Sequence, residues 1–545
     1  MPRFRSFSPT MSRRQFLAGS TLAPLLPRTL AARQPGAAGS VVIETTLGRI
    51  QGVQEDGYAV FQGVPYAKPP VDDLRWVAPQ PVEPWGNDVL VAEEPGPVAP
   101  QAQMPFLDER ESSEDCLYLN VWVPGTPEEG AGKPVIVFVH GGANLFGSGS
   151  EYLASRMAAD EDVVVVTINY RMGIFGSFVF PGLPDGGTFG LLDQVMALEW
   201  VRDHIEAFGG DPGNVTLMGQ SWGGLGVSAH LVSPLSEGLF HRAVIQSGVA
   251  LADFPAGTMF GLPAIHSLWA TEDERTPVSQ SVIEDLRIDE TKDIIGALRK
   301  VPTGLLNAFS ALYVPYVWGT RFLPEHPVDA TLAGEIHPVP VLAGSTRDEA
   351  RLMVTLSGGF LARMGEDEYL ERLEEAFGDE AGEIASEYPF EAFPSGELAW
   401  ATVVTDRVWA RPTMEQHRAL AAVTPVWAYE FRDREAPAGF LAVGGDDGAG
   451  AYHSAELGYQ FDVREPAPLA ASQRRLAAMM NRYWATFARD GDPNGEGLPR
   501  WEPFDSGETV LGLDDGPGEV APVDFAAEHR LAFWEGRGEI PAGED

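Results

Sequence analysis

The chain has a single cysteine, Cys116, among 545 residues, so no disulfide can form within it and no step of its folding waits on oxidation. Lysine is almost as scarce: Lys68, Lys133, Lys292 and Lys300 are the whole complement, and the remaining basic residues are arginines. Against 38 basic side chains stand 78 acidic ones, a net charge of −40. Such a surface repels nucleic-acid phosphates and anionic lipid headgroups, which argues against nucleic acid as a partner. Acid excess with little lysine suits a salty environment and equally a GC-rich genome. No apolar run is long enough to span a bilayer, and a hydrophobic fraction of 44% is that of a globular protein.

The positive charge that does exist is concentrated at the start. Residues 1–40 hold six arginines and no acid, leaving 32 basic side chains against 78 acidic ones in the rest, a charge of −46. Ser12-Arg13-Arg14-Gln15-Phe16-Leu17 runs into the weakly apolar stretch LAGSTLAPLLP and then into small residues around Ala31-Ala32. That layout predicts a twin-arginine (Tat) export signal over residues 1–38, carried by the Tat translocase and cleaved between roughly residues 32 and 40, with the protein delivered folded to the periplasm or beyond. A disordered basic tail is the alternative.

Beyond residue 40, short β-branched runs alternate with amphipathic stretches. Val135–Val139, Val163–Tyr170, Val215–Gly219, Ala243–Gln246 and Val339–Gly344 are apolar throughout, as expected of strands covered on both faces by helices. The fold class is therefore α/β, with an open, mostly parallel sheet. Between two of these strands, LLDQVMALEWVRDHIEAF at 191–208 repeats apolar residues at helical spacing and is stopped by Gly209-Gly210-Asp211-Pro212.

The strand VTLMG leads directly into Gln220-Ser221-Trp222-Gly223, and a helix can start at once in GGLGVSAHLV. A serine at a strand-turn-helix junction in a G-x-S-x-G frame is the context of a nucleophile elbow, in which the glycines make room for neighbouring backbone. The helix start offers unpaired N–H groups to a developing oxyanion. A serine nucleophile needs an imidazole base, and the imidazole needs an acid. On this fold they follow in the order Ser, acid, His. His453 follows the flexible run GGDDGAGAY and opens H-S-A-E; His417 lies in a solvated-looking helix and His529 in the C-terminal tail, so both are read as surface residues. Strand VPVLAG runs out into Ser345-Thr346-Arg347-Asp348-Glu349, and spacing alone does not choose between Asp348 and Glu349. His140-Gly141-Gly142-Ala143, directly after VIVFV, is the candidate source of oxyanion N–H groups.

With these residues assembled, the chain resembles the type-B carboxylesterases, a family that includes bacterial carboxylesterases and the cholinesterases. The resemblance rests on FQGVPYAKPPVDDLRW (61–76), SEDCLYLNVWVP (113–124), HGGANLFGSG (140–149), NYRMGIFG (169–176) and the block from Gly190 to Gly224. It continues through GSTRDEA (344–350), HSAELGYQF (453–461) and WATFARDGDPN (484–494). It implies one α/β-hydrolase domain over residues 39–545, with long insertions forming a cap and the segment from about 254 to 327 as a pocket wall. It also implies a triad of Ser221, Glu349 and His453, and oxyanion donors at Gly142, Ala143 and Trp222. The implied substrates are small to medium uncharged aliphatic or aryl esters, hydrolysed with water and without a metal or organic cofactor.

Three departures qualify the resemblance. The family commonly pairs the cysteine of its E-D-C-L-Y-L-N motif with one upstream, where this chain has Ala99, so Cys116 is expected as a buried free thiol. The loop between Ala99 and Cys116 lacks the tryptophan that serves quaternary ammonium in cholinesterases. The family's usual G-E-S-A-G is here Gly219-Gln220-Ser221-Trp222-Gly223, which removes a carboxylate beside the base and places an indole after the nucleophile. Met259, Phe260, Leu312, Tyr313, Tyr316 and Trp318 are candidate lining of the pocket wall. The same machinery would also suit a lipase, an amidase or a thioesterase, and the remaining alternative is a binding protein that keeps the fold without the reaction.

Overall fold

A computed structural model describes residues 39–102, 110–289, 293–357, 364–438, 449–463, 468–505, 507–516 and 520–537. The predicted export signal over 1–38 lies outside the described residues. Thirteen strands build one sheet: β1 (Gly39–Thr45), β2 (Gly48–Gln54), β3 (Tyr58–Pro65), β4 (Gly86–Val91), β5 (Tyr118–Pro124), β6 (Lys133–Val139), β7 (Val164–Ile168), β8 (Gly210–Gln220), β9 (Arg242–Gln246), β10 (Val341–Thr346), β11 (Val426–Phe431), β12 (Val510–Leu513) and β13 (Ala521–Val523). Their spatial order is β1-β2-β3-β5-β7-β6-β8-β9-β10-β11-β12-β13, with β4 beside β2. From β7 to β12 every neighbouring pair is parallel. The antiparallel pairs stand at the two sides, β1/β2, β2/β3, β3/β5 and β5/β7 on one and β12/β13 on the other.

All five strands expected from apolar runs are present in the parallel block, because a strand buried on both faces needs apolar residues at every position. Val164–Ile168 and Val341–Thr346 are buried along their whole length. The antiparallel N-terminal strands mix exposed with buried residues, a pattern without a continuous apolar run to find. Helix α1 (Phe189–His204) is the predicted one and continues as a 3-10 turn, Ile205–Phe208. It is buried nearly all round, and even Asp193 and Gln194 on it are buried. Asp193 is neutralised there by Arg171, whose guanidinium donates two bonds of 2.8 and 2.7 Å while the Arg171 backbone N–H donates a third. Helix α2 (Trp222–Val232) follows β8 without an intervening loop residue other than Ser221. Cys116 is a buried free thiol, as expected. Among the described residues no helix is long and apolar enough to cross a membrane.

His417 and His529 are not surface residues: they are 2% and 3% exposed. His417 packs against Phe504, and burial lowers its pKa to about 3, so it is a neutral core ring. His529 is the opposite case. Its Nδ1 donates to Asp406 (2.6 Å) and its Nε2 to Glu430 on β11 (2.5 Å), which makes it an imidazolium held between two buried carboxylates. Burial alone would lower its pKa, but Glu430 and Asp406 outweigh it and raise the value from 6.5 to about 10. Asp406 also accepts from Tyr388 (2.7 Å), whose hydroxyl in turn accepts from Trp534 (2.8 Å), so the C-terminal helices are fastened to the body through this charge cluster.

Because the folded-state pKa of His529 is raised, its stabilisation is complete below the unfolded value of 6.5 and fades as pH rises through about 10. His529→Gln removes the cation that bridges Asp406 and Glu430, leaving Glu430 to Arg432 and Arg347 and Asp406 to Arg530 at 3.5 Å, and is expected to cost about 3 kcal/mol at pH 7. Denaturant unfolding of both proteins from pH 7 to 11 measures this; the gap is expected to narrow above pH 10.

Candidate functional site

Ser221 stands between β8 and α2 with φ 56° and ψ −123°, a conformation that L-residues rarely occupy. The backbone is held there by Ser221 N–H donating to Gln246 C=O (2.8 Å) at the end of β9 and by Leu225 N–H donating to Ser221 C=O (2.9 Å). The glycines explain themselves by what a side chain would meet. A Cβ on Gly219 would lie 2.3 Å from the Gly223 oxygen, and one on Gly223 would lie 2.0 Å from the Val139 oxygen at the end of β6. The Ser221 hydroxyl has no hydrogen-bond partner among the described residues.

The loop after β6 faces this turn. Gly142 and Ala143 both have positive φ (107° and 55°), which turns the backbone through His140-Gly141-Gly142-Ala143. The loop is pinned on both sides: Tyr170 OH donates to the His140 carbonyl (2.7 Å), the His140 ring stacks on Tyr170 (4.5 Å), and Asn144 Nδ2 donates to the Tyr313 carbonyl (2.9 Å). Burial lowers the His140 pKa to about 4, so this ring is neutral. The N–H groups of Gly142, Ala143 and Trp222 have no hydrogen-bond acceptor among the described residues.

Glu349 and His453, 104 residues apart in sequence, meet at 2.5 Å between Oε2 and Nδ1. Glu349 follows β10, is fully buried, and its other oxygen accepts the Thr346 N–H (2.8 Å), so the carboxylate is fixed at both ends. Asp348 does not reach the imidazole; it pairs with Arg434 (2.9 Å) and Arg351 (3.3 Å) and accepts the Ala451 N–H (3.0 Å). On the far side of the ring, His453 Nε2 lies 3.4 Å from the side-chain nitrogen of Gln220, the residue before Ser221. Burial lowers the His453 pKa, and the Glu349 carboxylate raises it by more, so the net displacement is upward from 6.5.

Sequence reasoning passed over a third ionisable group. Glu456 ends the H-S-A-E run, is fully buried, and has one oxygen accepting from Gln246 Nε2 (3.2 Å) and the other without a partner. Burial, then the neighbouring Glu349 charge, raises its pKa from 4.5 to about 7. The i+3 spacing from His453 was its only sequence signal. The Trp409 indole, 6.0 Å from the His453 ring and 5.6 Å from Phe254, closes another side; it belongs to a π-helix, Thr405–Ala410, whose Thr405 hydroxyl accepts the Ala350 N–H (3.1 Å) just after Glu349.

Of the candidate wall residues, Tyr316 packs on the Trp222 ring at 4.9 Å. Tyr313 is buried in a separate core cluster with Phe178 and Trp76, and Leu312 is 45% exposed, so neither behaves as pocket lining. One acidic group among the described residues, Asp433, Asp514 and Asp515, has ligand atoms within 4.8 Å of one another. Asp433 already accepts from Gln473 (3.0 Å), Tyr459 and the Glu435 N–H (2.8 Å), and none of the three belongs to the site.

The carboxylesterase family matches residues 39–534. The chain belongs to the carboxylesterase family. Para-nitrobenzyl esterase of Bacillus subtilis (strain 168) is 32% identical over 486 residues, covering 86% of this chain and 94% of the relative. Human cocaine esterase is 32% identical over 88% of this chain and 87% of its own, and mouse acylcarnitine hydrolase 31% over 90% of each. A solved PNB esterase structure superimposes with a TM-score of 0.73 at 31% identity, covering 90% of this chain and 98% of the other. This carboxylesterase thus has the α/β-hydrolase fold read from its sequence and is a carboxylic-ester hydrolase.

In the esterase, Gly223→Ala drives a methyl group into the Val139 carbonyl and is expected to destabilise the protein by about 3 kcal/mol. Thermal denaturation followed by circular dichroism measures it, with Gly497→Ala, where a Cβ meets nothing within 4 Å but the backbone φ is +79°, as a control for strain without contact.

Proposed function

We propose that this esterase works by two-step acyl transfer from Ser221, with His453 as general base and Glu349 as the acid that orients it. The observation that carries the reading is the 2.5 Å Glu349–His453 pair set beside a serine in a strained turn. His453 takes the Ser221 proton as the hydroxyl oxygen attacks the ester carbonyl. The negative charge on the former carbonyl oxygen is met by the N–H groups of Gly142, Ala143 and Trp222, which have no other acceptor among the described residues. His453 then protonates the leaving alcohol, and water, deprotonated by the same ring, releases the acid. Glu349 keeps Nδ1 protonated throughout, which leaves the Nε2 lone pair for the serine.

The substrates proposed are small to medium uncharged aliphatic or aryl esters. The buried rings of Trp222, Tyr316, Trp409 and Phe254 stand near the reacting groups, and the strongly acidic chain disfavours anions. Its relatives carry the names para-nitrobenzyl esterase, cocaine esterase and acylcarnitine hydrolase, which supports an ester of this kind as substrate. Export through the Tat pathway is proposed on the Arg13-Arg14 leader.

Ser221→Ala is expected to lower kcat on p-nitrophenyl butyrate by on the order of 10³ or more and to abolish the pre-steady-state burst of p-nitrophenol. Activity within tenfold of wild type would remove Ser221 from the mechanism.

The base works only as the neutral ring, so kcat/KM falls as pH drops through the His453 pKa, and the acid limb is expected above 6.5. Glu456→Gln removes a negative charge from beside the imidazole and shifts that limb to lower pH. A pH profile that Glu456→Gln leaves in place would separate Glu456 from the base.

A further inference from the structure

Trp222 is the bulkiest departure from the family pattern, and its surroundings give the indole a specific task. The ring is 6% exposed and lies at 44° to Tyr316. Tyr316 is itself 1% exposed and sits in a two-residue strand, Tyr316–Val317, that pairs parallel with Trp269–Ala270. Behind it stands the Trp269 ring at 6.0 Å, locked by Nε1 donating to the Ala250 carbonyl (2.9 Å). The indole is therefore backed by two fixed aromatic rings from the insertion and has no open space into which to swing.

Trp222 Nε1 and Gln194 Nε2 both face the buried Tyr316 hydroxyl. Gln194 Oε1 is engaged with His230 Nε2 (3.0 Å).

The two neighbours of Ser221 make different contacts, Gln220 with His453 and Trp222 with Tyr316. Gln220 meets His453, and His453 delivers its proton to the leaving oxygen, so the alcohol part lies on the Gln220 side. The oxyanion occupies a third direction, toward the Gly142 loop. The acyl chain is left with the side on which Trp222 packs against the insertion.

We infer that Trp222, buttressed by Tyr316, forms the inner wall of the acyl site and sets the upper limit on acyl-chain length. This rests on Ser221 and His453 acting as proposed above. A wall of two closely packed rings rejects added methylenes sterically, whereas the alcohol side is bounded by different residues and is not subject to the same limit.

The test is kcat/KM for p-nitrophenyl acetate, butyrate and octanoate, and for methyl, butyl and octyl acetates, with wild type, Trp222→Ala, Trp222→Phe and Tyr316→Leu. The concentration of reactive serine in each preparation is titrated with an activated phosphonate. In Trp222→Ala the octanoate-to-acetate ratio is expected to rise by about tenfold or more, a size that a few admitted methylenes supply. Smaller rises are expected in Trp222→Phe and Tyr316→Leu, which also carry the test if the alanine variant does not fold. Because the readout is a ratio on titrated enzyme, general destabilisation does not move it. An unchanged acyl ratio with titratable serine overturns the inference and leaves the mechanism standing, as does a shift confined to the alcohol series. Failure of wild type to titrate at all removes the mechanism, and the inference with it.

Discussion

The site depends on how closely three backbones approach one another around Ser221. The end of β6, the end of β8 and the first turn of α2 come together at distances that leave no room for a Cβ at Gly219 or Gly223. That contact sets the direction in which α2 leaves the sheet, and with it the position of the Trp222 N–H. It also forces Ser221 to positive φ, lifting its side chain out of the strand's pleat. Bonds to Gln246 at the end of β9 then hold the turn from the other side. Everything else in the site is arranged relative to a serine whose backbone has one place to be.

Around that fixed point the chain buries a good deal of charge, and each charge is handled differently. Arg171 and Asp193 cancel one another through a forked pair. His529 cancels part of two carboxylates and is driven fully cationic by them. Glu349 is matched by the His453 imidazole at 2.5 Å, whose pKa it raises. Glu456 has no cation of its own, and its pKa moves up toward neutrality instead. With glutamine at 220, the site avoids placing a third carboxyl group against the same ring.

How much of this could be read from the sequence follows from what is local. The parallel strands were legible because burial on two faces writes itself as an unbroken apolar run, as in VIVFV and VVVVTINY. The strand-turn-helix junction at Ser221 and the turn at Gly142–Ala143 were legible because tight turns need glycine at fixed offsets. The choice of Glu349 over Asp348 was not local: both end the same strand, and only the approach of the 453 loop distinguishes them. His417 and His529 were misread for the same reason, since a histidine among polar neighbours looks exposed until a distant strand or helix covers it. Tyr313 and Leu312 looked like lining by composition, and backbone direction sent one into another core and the other to solvent.

The His529 cluster has a consequence for how the molecule comes into being. Glu430 lies in an inner strand, where Arg432 and Arg347 also pair with it, and Asp406 in the π-helix behind Glu349, but the cation that bridges the two acids comes from the last stretch of the chain. A ribosome makes both acids, and the arginines that pair with Glu430, well before it makes His529 and Arg530, the partners of Asp406. While the nascent chain is still tethered, Asp406 is the charge of this corner that waits for its cations. Completion of the C-terminus is thus the event that closes this corner behind Glu349, and a chain truncated before residue 529 would bury Asp406 without either of its cations.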